Sequence, residues 1–387
     1  MLCWSRPQFA NPLMTPSKGT GVTTIQIDNV AYDTQAPSLD DKLEHLEQIL
    51  GSMSGTVLIG YSGGVDSAML AVAAHRVLGD RAIAVTADSE SYADGELEKA
   101  SQIVKQFGIP HEVVQTRELD NPDYASNPVN RCYYCKSELF IHMGRLAEQH
   151  KASTILYGQN SDDVGDFRPG ATAAKEYGVR APLMEAGMSK DDVRQLARRW
   201  DVPVWNRPAM ACLSSRFPYG TPVTSEGLRQ VDRAERYMKD LICEQLRVRH
   251  HDMVARIELP AAELTALMAD TAQRHQIAKA LTDIGYQRVT LDAVGFRSGS
   301  MNEVLGTAED GPRRSADDIL QELGYEGGAE LEEQILCLQL SDRALKSLAA
   351  VEARTYLAAA LRHAETPFIA FDLTNGQMSG LMSDLPA

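Results

Sequence analysis

The chain has 387 residues and carries 53 acidic against 38 basic side chains, a formal net charge of -15 that disfavours long nucleic acid as its main ligand. Its 44% hydrophobic and 24% charged content is that of an ordinary globular protein, and its length favours two domains over one. No apolar run is long enough to cross a bilayer and the N-terminus does not resemble a secretory signal, so the sequence predicts a cytoplasmic protein without a membrane partner.

The first half of the chain alternates strand and helix patterns. Residues 1–36 predict a flexible arm, because Pro, Thr, Ser and Asn dominate and no helical period is sustained. Apolar positions from Leu39 to Leu50 fall on one face of a helix. Short apolar runs then recur between helical segments, at 56–61, 82–86, 111–114 and 153–157. Such alternation predicts an α/β domain over 37–221, with a parallel sheet covered by helices on both faces.

The second half predicts a smaller α+β domain over 222–305 and a related segment after it. A polar stretch past Leu305 reads as a linker, and 306–387 as that linker with a degenerate repeat of the preceding unit. Four positions, Leu259, Leu267, Leu281 and Asp292, recur 80 or 81 residues later as Leu340, Leu348, Leu361 and Asp372. Chance similarity of strand-helix-strand units is the alternative. The repeat has Asn375-Gly-Gln where the first unit has Gly295-Phe-Arg, which favours a structural role for it.

A glycine-rich loop joins the first predicted strand to the following helix. Its sequence is Ser62-Gly63-Gly64-Val65-Asp66-Ser67. Two glycines let the backbone approach an anion closely, and the helix N-terminus offers unpaired N–H groups. The serine hydroxyls add donors, and Asp66 can organise Mg2+ beside phosphates. The alternative, a tight strand-to-helix turn, needs neither the paired serines nor both glycines, so the loop predicts a phosphate-binding site.

Three of the six cysteines form a second candidate site. Cys132 and Cys135 make a CxxC pair, and Cys212 follows 77 residues later. A lone CxxC is compatible with zinc, an iron-sulfur cluster or a redox disulfide. Three thiolates without a fourth protein ligand favour a centre with an open position, such as a 4Fe-4S cluster. A zinc site completed by His142 is the alternative. Cys3, Cys243 and Cys337 have no partner spacing and read as ordinary buried or tail cysteines.

The glycine-rich loop resembles the signature of the PP-loop ATP pyrophosphatases, which cleave ATP between its α and β phosphates. The resemblance implies a Rossmann-like parallel sheet, with ATP and Mg2+ as cofactors. It also implies that the end of the second strand, at Thr86 and Ala87, contacts adenine. Further cofactor contacts are expected from Gly158, Asp162 and Asp163. For the two aspartates, turn and helix-cap duty is the alternative.

A series of motifs resembles the LarE family from about residue 40 to 305. These motifs are the glycine-rich loop, CYYCKSELF at 132–140, GQNSDD at 158–163, DFRPG at 166–170, GVRAP at 178–182, ACLSSR at 211–216 and GFRSGS at 295–300. LarE-type enzymes are ATP-dependent sulfur transferases that build the nickel-pincer nucleotide cofactor of lactate racemase. The resemblance implies adenylation of the carboxylates of pyridinium-3,5-biscarboxylic acid mononucleotide and their conversion to thiocarboxylates.

The same resemblance implies residue roles. The catalytic group comprises Cys212, Asp66, Ser215 and Arg216. Candidates for binding the substrate are Arg168, Arg216, Glu235, Arg247, Arg249 and Arg297. For each arginine alone, a solvated surface position is the alternative. In one family branch the ACLSSR-type cysteine gives up its own sulfur. In another it joins the CxxC pair to hold a 4Fe-4S cluster that carries sulfide. Because Cys132, Cys135 and Cys212 are all present, the chain resembles the cluster branch, with sacrificial donation from Cys212 as the alternative.

Parts of the sequence are also compatible with three other functions. PP-loop tRNA 2-thiolation also combines such a loop with three cysteines, but it calls for a basic RNA-binding surface. Ammonia-using NAD or GMP synthetases would leave the cysteines without a role, and a purely regulatory protein would not need an intact loop. A sulfide-donor protein is a candidate partner, nucleic acid is disfavoured, and the family resemblance predicts a homo-oligomer.

Overall fold

A computed structural model describes residues 37–163, 169–208, 211–305, 314–362 and 367–374. The predicted arm over 1–36 and the candidate Arg168 lie outside these ranges. None of the helices in the described part of the chain is long and apolar enough to span a membrane.

The first sheet has four parallel strands in the order β3-β2-β1-β4. The strands are β1 (Thr56–Gly60), β2 (Ala82–Asp88), β3 (His111–Gln115) and β4 (Ala152–Tyr157). Eight helices accompany it: α1 (Leu39–Gly51), α2 (Val65–Leu78), α3 (Glu96–Gln106), α4 (Pro122–Ala125), α5 (Arg131–His150), α6 (Pro169–Glu176), α7 (Pro182–Glu185) and α8 (Lys190–Arg199). The predicted parallel α/β architecture is confirmed.

Alternation of side chains along β1 divides the core into two layers. Val57 and Ile59 face the layer that α1, α2, α3 and α8 cover, whereas Leu58 faces the layer beneath α5 and α6. Both faces of the sheet are therefore buried, as a parallel sheet requires. The carboxyl ends of the strands remain open, and the glycine-rich loop follows one of them.

The second sheet has six strands in the order β5-β6-β7-β10-β9-β8. The strands are β5 (Arg247–His251), β6 (Val254–Glu258), β7 (Arg288–Asp292), β8 (Gly327–Glu332), β9 (Ile335–Leu340) and β10 (Phe368–Asp372). Its helices are α9 (Ser225–Leu241), α10 (Ala261–Ala269), α11 (Thr271–Ile284), α12 (Ala316–Glu322), α13 (Asp342–Ser347) and α14 (Val351–Leu361). The predicted extension thus continues the sheet of the preceding unit.

The two halves of this sheet repeat one pattern. In each half an antiparallel hairpin is followed by two helices and a third strand. This third strand pairs parallel with the second strand of the hairpin. The halves meet where β7 and β10 pair antiparallel. This order is what an internal duplication would produce, and the second half covers the β7 edge that the first half alone would leave open.

Contacts between the halves are reciprocal. Arg274 on α11 and Arg354 on α14 are both buried, and each donates to a backbone carbonyl of its own half, Met268 and Ala349 respectively. Each arginine side chain also contacts the first residue of a helix in the other half. Arg274 pairs with Asp342 of α13, and Arg354 donates to the carbonyl of Ala261 of α10 at 3.3 Å. The two halves therefore pack about an approximate twofold axis.

Candidate active site

The glycine-rich loop between β1 and α2 is fixed by its own serines. The Ser62 N–H donates to the Ser67 hydroxyl at 3.1 Å, the two hydroxyl oxygens lie 3.2 Å apart, and Ser67 donates to the Gly64 carbonyl at 3.0 Å. Gly63 has φ +73°, and a Cβ there would lie 2.9 Å from Cβ of Ala100. The loop therefore needs glycine at this position and leaves the N-terminus of α2 open for an anion.

Gly158 follows β4 and passes directly against the start of α2. A Cβ at Gly158 would lie 2.7 Å from the backbone nitrogen of Ser67 and 2.9 Å from the carbonyl carbon of Asp66. Because both neighbours are backbone atoms, they cannot turn away as a flexible side chain could. The glycine predicted from the GQNSDD motif is thus required by this close approach, whether or not it touches ATP.

The carboxylate of Asp66 has two partners at the loop. The Asn160 amide donates to one oxygen at 3.1 Å, and the Lys190 ammonium pairs with the other. The Lys190 N–H also donates to Asp162 at 2.9 Å, while Asp163 accepts the Asn160 N–H at 3.2 Å. The two aspartates thus make turn and cap contacts, and their contact with the cofactor stays a prediction.

Lys190 is a candidate phosphate ligand that the sequence analysis missed. Its ammonium pairs with Asp66 of the glycine-rich loop, where a compact positive charge would stabilise a polyphosphate. Ser189 and Asp192 form a capping box at the start of α8. That signal predicts a helix start at Lys190, but it does not show that this helix begins next to the loop.

Thr86 and Ala87 lie inside β2, which continues to Asp88, two residues beyond the predicted strand run. Both residues are buried, and the Thr86 hydroxyl lies 2.8 Å from Nε2 of His111 on β3. Burial lowers the pKa of His111. The carboxyl edge of the sheet here is formed by Asp88, so an adenine contact at Thr86 or Ala87 stays a prediction.

Two cavities adjoin each other, and one of them is lined by the glycine-rich loop. The larger, about 810 Å³, is lined by Ser62, Gly64, Cys212 and Arg216 among others. The smaller, about 390 Å³, is lined by four arginines together with Ser215. These arginines are Arg131, Arg247, Arg249 and Arg297. Because Ala211 and Arg247 line both cavities, a ligand in the arginine cavity can present a group to the loop cavity.

Arg216 and Glu235 form a buried ion pair. Their side chains are 5% and 1% exposed, and two parallel hydrogen bonds of 2.8 and 2.9 Å join them. Burial would raise the pKa of Glu235, but the charge and hydrogen bonds of Arg216 outweigh it and hold the pKa below its usual value. Glu235 was predicted to contact substrate. It is instead buried behind Arg216 and also accepts the Val248 N–H at 3.1 Å.

The remaining donors of Arg216 hold the cysteine-bearing segment. Its Nη1 donates to the carbonyls of Ala211 and Cys212 at 2.7 and 2.9 Å and to the Ser215 hydroxyl at 3.0 Å. Arg216 therefore connects the Cys212 segment to α9 through Glu235. This anchoring role accounts for the arginine of the ACLSSR motif without a substrate contact.

Glu235→Gln is expected to lower the free energy of unfolding by about 3–5 kcal/mol, because it keeps the side-chain volume but leaves the Arg216 charge buried without a counter-ion. Guanidinium denaturation monitored by circular dichroism would measure the loss. Lys239→Ala is the matched control. It removes a longer pair of 3.5 Å to the same carboxylate, from a residue 21% exposed, and should cost less than about 1 kcal/mol. Equal losses in both variants would contradict the anchoring role.

The arginine cavity concentrates positive charge, which favours an anionic ligand. Burial, together with the nearby charge of Arg216, lowers the pKa of Arg247 to about 10, and burial also lowers the pKa of Arg249. Among the described residues, Nε of Arg249 is a buried donor without a hydrogen-bond partner. An anionic group in this cavity would relieve the repulsion among the guanidinium groups.

The Cys135 thiol is the member of the cysteine group whose ionisation the surroundings oppose. Burial raises the pKa of Cys135, and negative charge at Glu118, Cys212 and Cys132 raises it further. The Cys135 thiol lies 3.7 Å from a carboxylate oxygen of Glu118, a buried residue that no motif had indicated. Soft thiols beside a carboxylate suit iron-sulfur or zinc chemistry. Within the described ranges, however, no three His, Cys, Asp or Glu side chains are arranged to hold a metal ion.

His142, the residue weighed as an additional zinc ligand, has a partner on its own helix. Its Nε2 lies 3.2 Å from a carboxylate oxygen of Glu138, one turn earlier on α5. The structure therefore gives no support to a zinc site that includes His142.

Comparisons with known proteins show which families this chain resembles. A model of the NAD synthase family matches residues 39–125. The chain is 36% identical over 254 residues to the pyridinium-3,5-bisthiocarboxylic acid mononucleotide synthase of Lactiplantibacillus plantarum, covering 65% of this chain and 91% of that protein. It is 45% identical over 267 residues to an uncharacterised protein of Synechocystis sp., covering 69% of this chain and 99% of that one.

A more distant relative is named for the alternative function, tRNA 2-thiolation. The tRNA-specific 2-thiouridylase MnmA of Rickettsia africae is 26% identical over 197 residues, or 41% of this chain and 53% of that protein.

A parallel sheet with a phosphate-binding loop at the start of α2, together with the NAD synthase match, defines an ATP-dependent enzyme of the PP-loop class. Within that class, the chain belongs to the LarE family, that of the pyridinium-3,5-bisthiocarboxylic acid mononucleotide synthase.

Proposed function

We propose that this protein uses ATP and Mg2+ to adenylate the carboxylates of pyridinium-3,5-biscarboxylic acid mononucleotide and replaces them with thiocarboxylates for nickel-pincer cofactor synthesis. The observation that carries this proposal is the pair of adjoining cavities. One contains the phosphate-binding loop and Cys212, and the other is lined by arginines. The name of the relative from Lactiplantibacillus plantarum supports the choice of substrate.

The arginine cavity would hold the anionic groups of the mononucleotide. Arg247, Arg249 and Arg297 supply the positive charge at the cavity wall. Fork-shaped guanidinium groups suit both phosphate and carboxylate oxygens. Arg131, which also lines this cavity, extends the candidate set that the sequence analysis had proposed.

The first chemical step is phosphoryl activation. A substrate carboxylate oxygen attacks the α-phosphorus of ATP, the bond to the oxygen bridging to the β-phosphate breaks, and pyrophosphate leaves. Lys190 and the N–H groups at the start of α2 would stabilise the departing charge. Asp66 is the carboxylate that would hold Mg2+ at the loop, where the ion would neutralise pyrophosphate.

The second step is sulfur transfer. A sulfide-class donor attacks the activated carboxyl carbon, the carbon-oxygen bond to AMP breaks, and AMP leaves with the electron pair. Arg216 would hold the Cys212 segment in place through its hydrogen bonds to two backbone carbonyls of that segment. Cys212 lines the same cavity as the phosphate-binding loop, which supports delivery of sulfur at this position.

For the sulfur source, we propose a 4Fe-4S cluster held by Cys132, Cys135 and Cys212. Such a cluster, when bound, supplies an iron site that can carry exchangeable sulfide. Charge at Cys212 and Cys132 contributes to the raised pKa of Cys135, so the three side chains share one neighbourhood, which supports this assignment. Sacrificial donation by Cys212 remains the alternative.

The test uses the full chain prepared without oxygen. We expect pyrophosphate and AMP to appear only when ATP, Mg2+ and the pyridinium mononucleotide are present together, and mass spectrometry to detect a thiocarboxylate once sulfide is added. Iron and acid-labile sulfide per chain should be near stoichiometric for one cluster. Pyrophosphate release that depends on unmodified tRNA instead of the mononucleotide would favour tRNA 2-thiolation and reject the proposal.

A further inference from the structure

Two of the cavity arginines are held from behind by buried carboxylates. Nη2 of Arg249 donates to Glu258 at 2.7 Å, and Nη1 of Arg297 donates to Asp292 at 2.9 Å. Glu258 is 0% and Asp292 is 1% exposed, so neither carboxylate faces the cavity. The positions of the two arginines therefore depend on the positions of these two carboxylates.

A single buried guanidinium bridges the two carboxylates. Nη1 of Arg256, which is fully buried, donates to Glu258 at 3.0 Å and pairs with Asp292. Arg256 on β6 thus fixes the spacing between Glu258 on the same strand and Asp292 on β7. Through them it fixes the spacing between the two arginines at the cavity wall.

Arg256 is held by Phe368 of the second half and by His251 of β5, which itself contacts the second half. Its guanidinium carbon lies 3.8 Å from the ring centre of Phe368 on β10. Its Nε donates to Nε2 of His251 at 3.2 Å, while Nδ1 of His251 donates to the Glu333 carbonyl at 3.2 Å. Burial and the charge of Arg256 lower the pKa of His251 well below its usual value, so the ring is neutral and can accept this hydrogen bond.

One buried donor of the network lacks a partner, because Nε of Arg249 has no hydrogen-bond partner among the described residues. Arg249 also lines the arginine cavity, so an anion there would lie beside this guanidinium group.

We propose that the C-terminal half of the sheet positions the anion-binding arginines of the active site. Phe368 acts on Arg256 directly and Glu333 acts on it through His251 of β5, and Arg256 in turn positions Arg249 and Arg297. The phosphate of the mononucleotide is the anion that these arginines hold, and this identification rests on the proposed function. The C-terminal half would thus support substrate binding, although none of its described residues lines either cavity.

The test compares two phenylalanines of one strand. Phe368→Leu removes the ring face from Arg256. Phe371→Leu makes the same change three residues later, on the opposite side of the sheet, where Phe371 is equally buried in an apolar cluster. Both variants should lose similar thermal stability. Only Phe368→Leu should raise the dissociation constant and KM for the pyridinium mononucleotide, by about tenfold, because a desolvated cation-π contact is of that size.

In Phe368→Leu, kcat and the KM for ATP should stay within twofold of the wild type. Equal mononucleotide affinity in the two variants would overturn the proposal. Should Phe368→Leu not fold, His251→Phe removes the acceptor for Arg256 while keeping a ring, and the same loss of affinity is expected. If the wild type binds no pyridinium mononucleotide, the proposed function fails. Inorganic phosphate is then the probe, and weaker phosphate binding by Phe368→Leu than by Phe371→Leu would still support the positioning role.

Discussion

Replacement of Cys212 by alanine is expected to abolish thiocarboxylate formation while pyrophosphate release from ATP continues. Adenylation needs the phosphate-binding loop, Lys190 and a bound carboxylate, and none of these depends on the Cys212 thiol. Arg216 holds the Cys212 segment through backbone carbonyls, which alanine retains. The variant should therefore keep the site geometry and lose only the sulfur atom. Product mass spectrometry and a coupled pyrophosphate assay would measure the two steps separately.

Cys243→Ala is the control for this experiment. Cys243 is half-buried, its thiol lies 3.6 Å from the Gln245 carbonyl, and it belongs to no CxxC pair. Its loss should change neither step. A Cys212→Ala protein that forms thiocarboxylate at the wild-type rate would contradict a sulfur role for this residue.

The number of sulfur atoms that each wild-type chain transfers distinguishes a cluster from Cys212 as the sulfur donor. Repeated turnover with added sulfide, together with iron that is lost in Cys212→Ala, would support a cluster. Activity that stops after one sulfur per chain, with conversion of Cys212 to dehydroalanine, would make that residue a sacrificial donor.

Local sequence signals predicted the first sheet and its phosphate-binding loop because those signals act over short range. An apolar strand followed by Ser62-Gly63-Gly64 specifies a turn and a helix start within a few residues. The parallel order of the strands follows from their alternation with helices. These features needed no knowledge of distant contacts.

Residue roles set by distant contacts could not be predicted in the same way. Glu235 reads as a helix-surface glutamate or a substrate ligand, and only the packing of α9 against the Cys212 segment shows it paired with Arg216. Lys190 meets Asp66 across 124 residues of chain. Glu118 meets Cys135 from a short turn that no motif marks. In each case the deciding fact is which elements pack together.

The repeat shows the same limit at a larger scale. Recurring leucines and aspartates indicated two similar units, but the sequence did not show that β7 and β10 join them into one sheet. That pairing brings Phe368 onto Arg256. The second unit lacks the Gly295-Phe-Arg motif of the first and still contributes to the site, because a buried charge network transmits its position to the cavity wall.

Gly158→Ala is expected to reduce pyrophosphate release at least about 100-fold in a protein that remains folded. The added methyl would lie 2.7 Å from the Ser67 nitrogen and 2.9 Å from the Asp66 carbonyl carbon, so either the end of β4 or the start of α2 must move. Overpacking of this kind costs about 1–3 kcal/mol of stability. A displacement of about 1 Å in groups that position the reacting phosphates can cost about 100-fold in rate.

Gly144→Ala provides the matched control. Gly144 lies within α5, and a Cβ there would meet nothing within 4 Å. Alanine should raise the free energy of unfolding by about 0.5–1 kcal/mol through its helix propensity and leave the rate unchanged. Thermal unfolding and pyrophosphate release would be measured on both variants. A Gly158→Ala enzyme with wild-type turnover would show that the loop tolerates displacement at this contact, and the tight packing of Gly158 against α2 would then have no role in binding ATP.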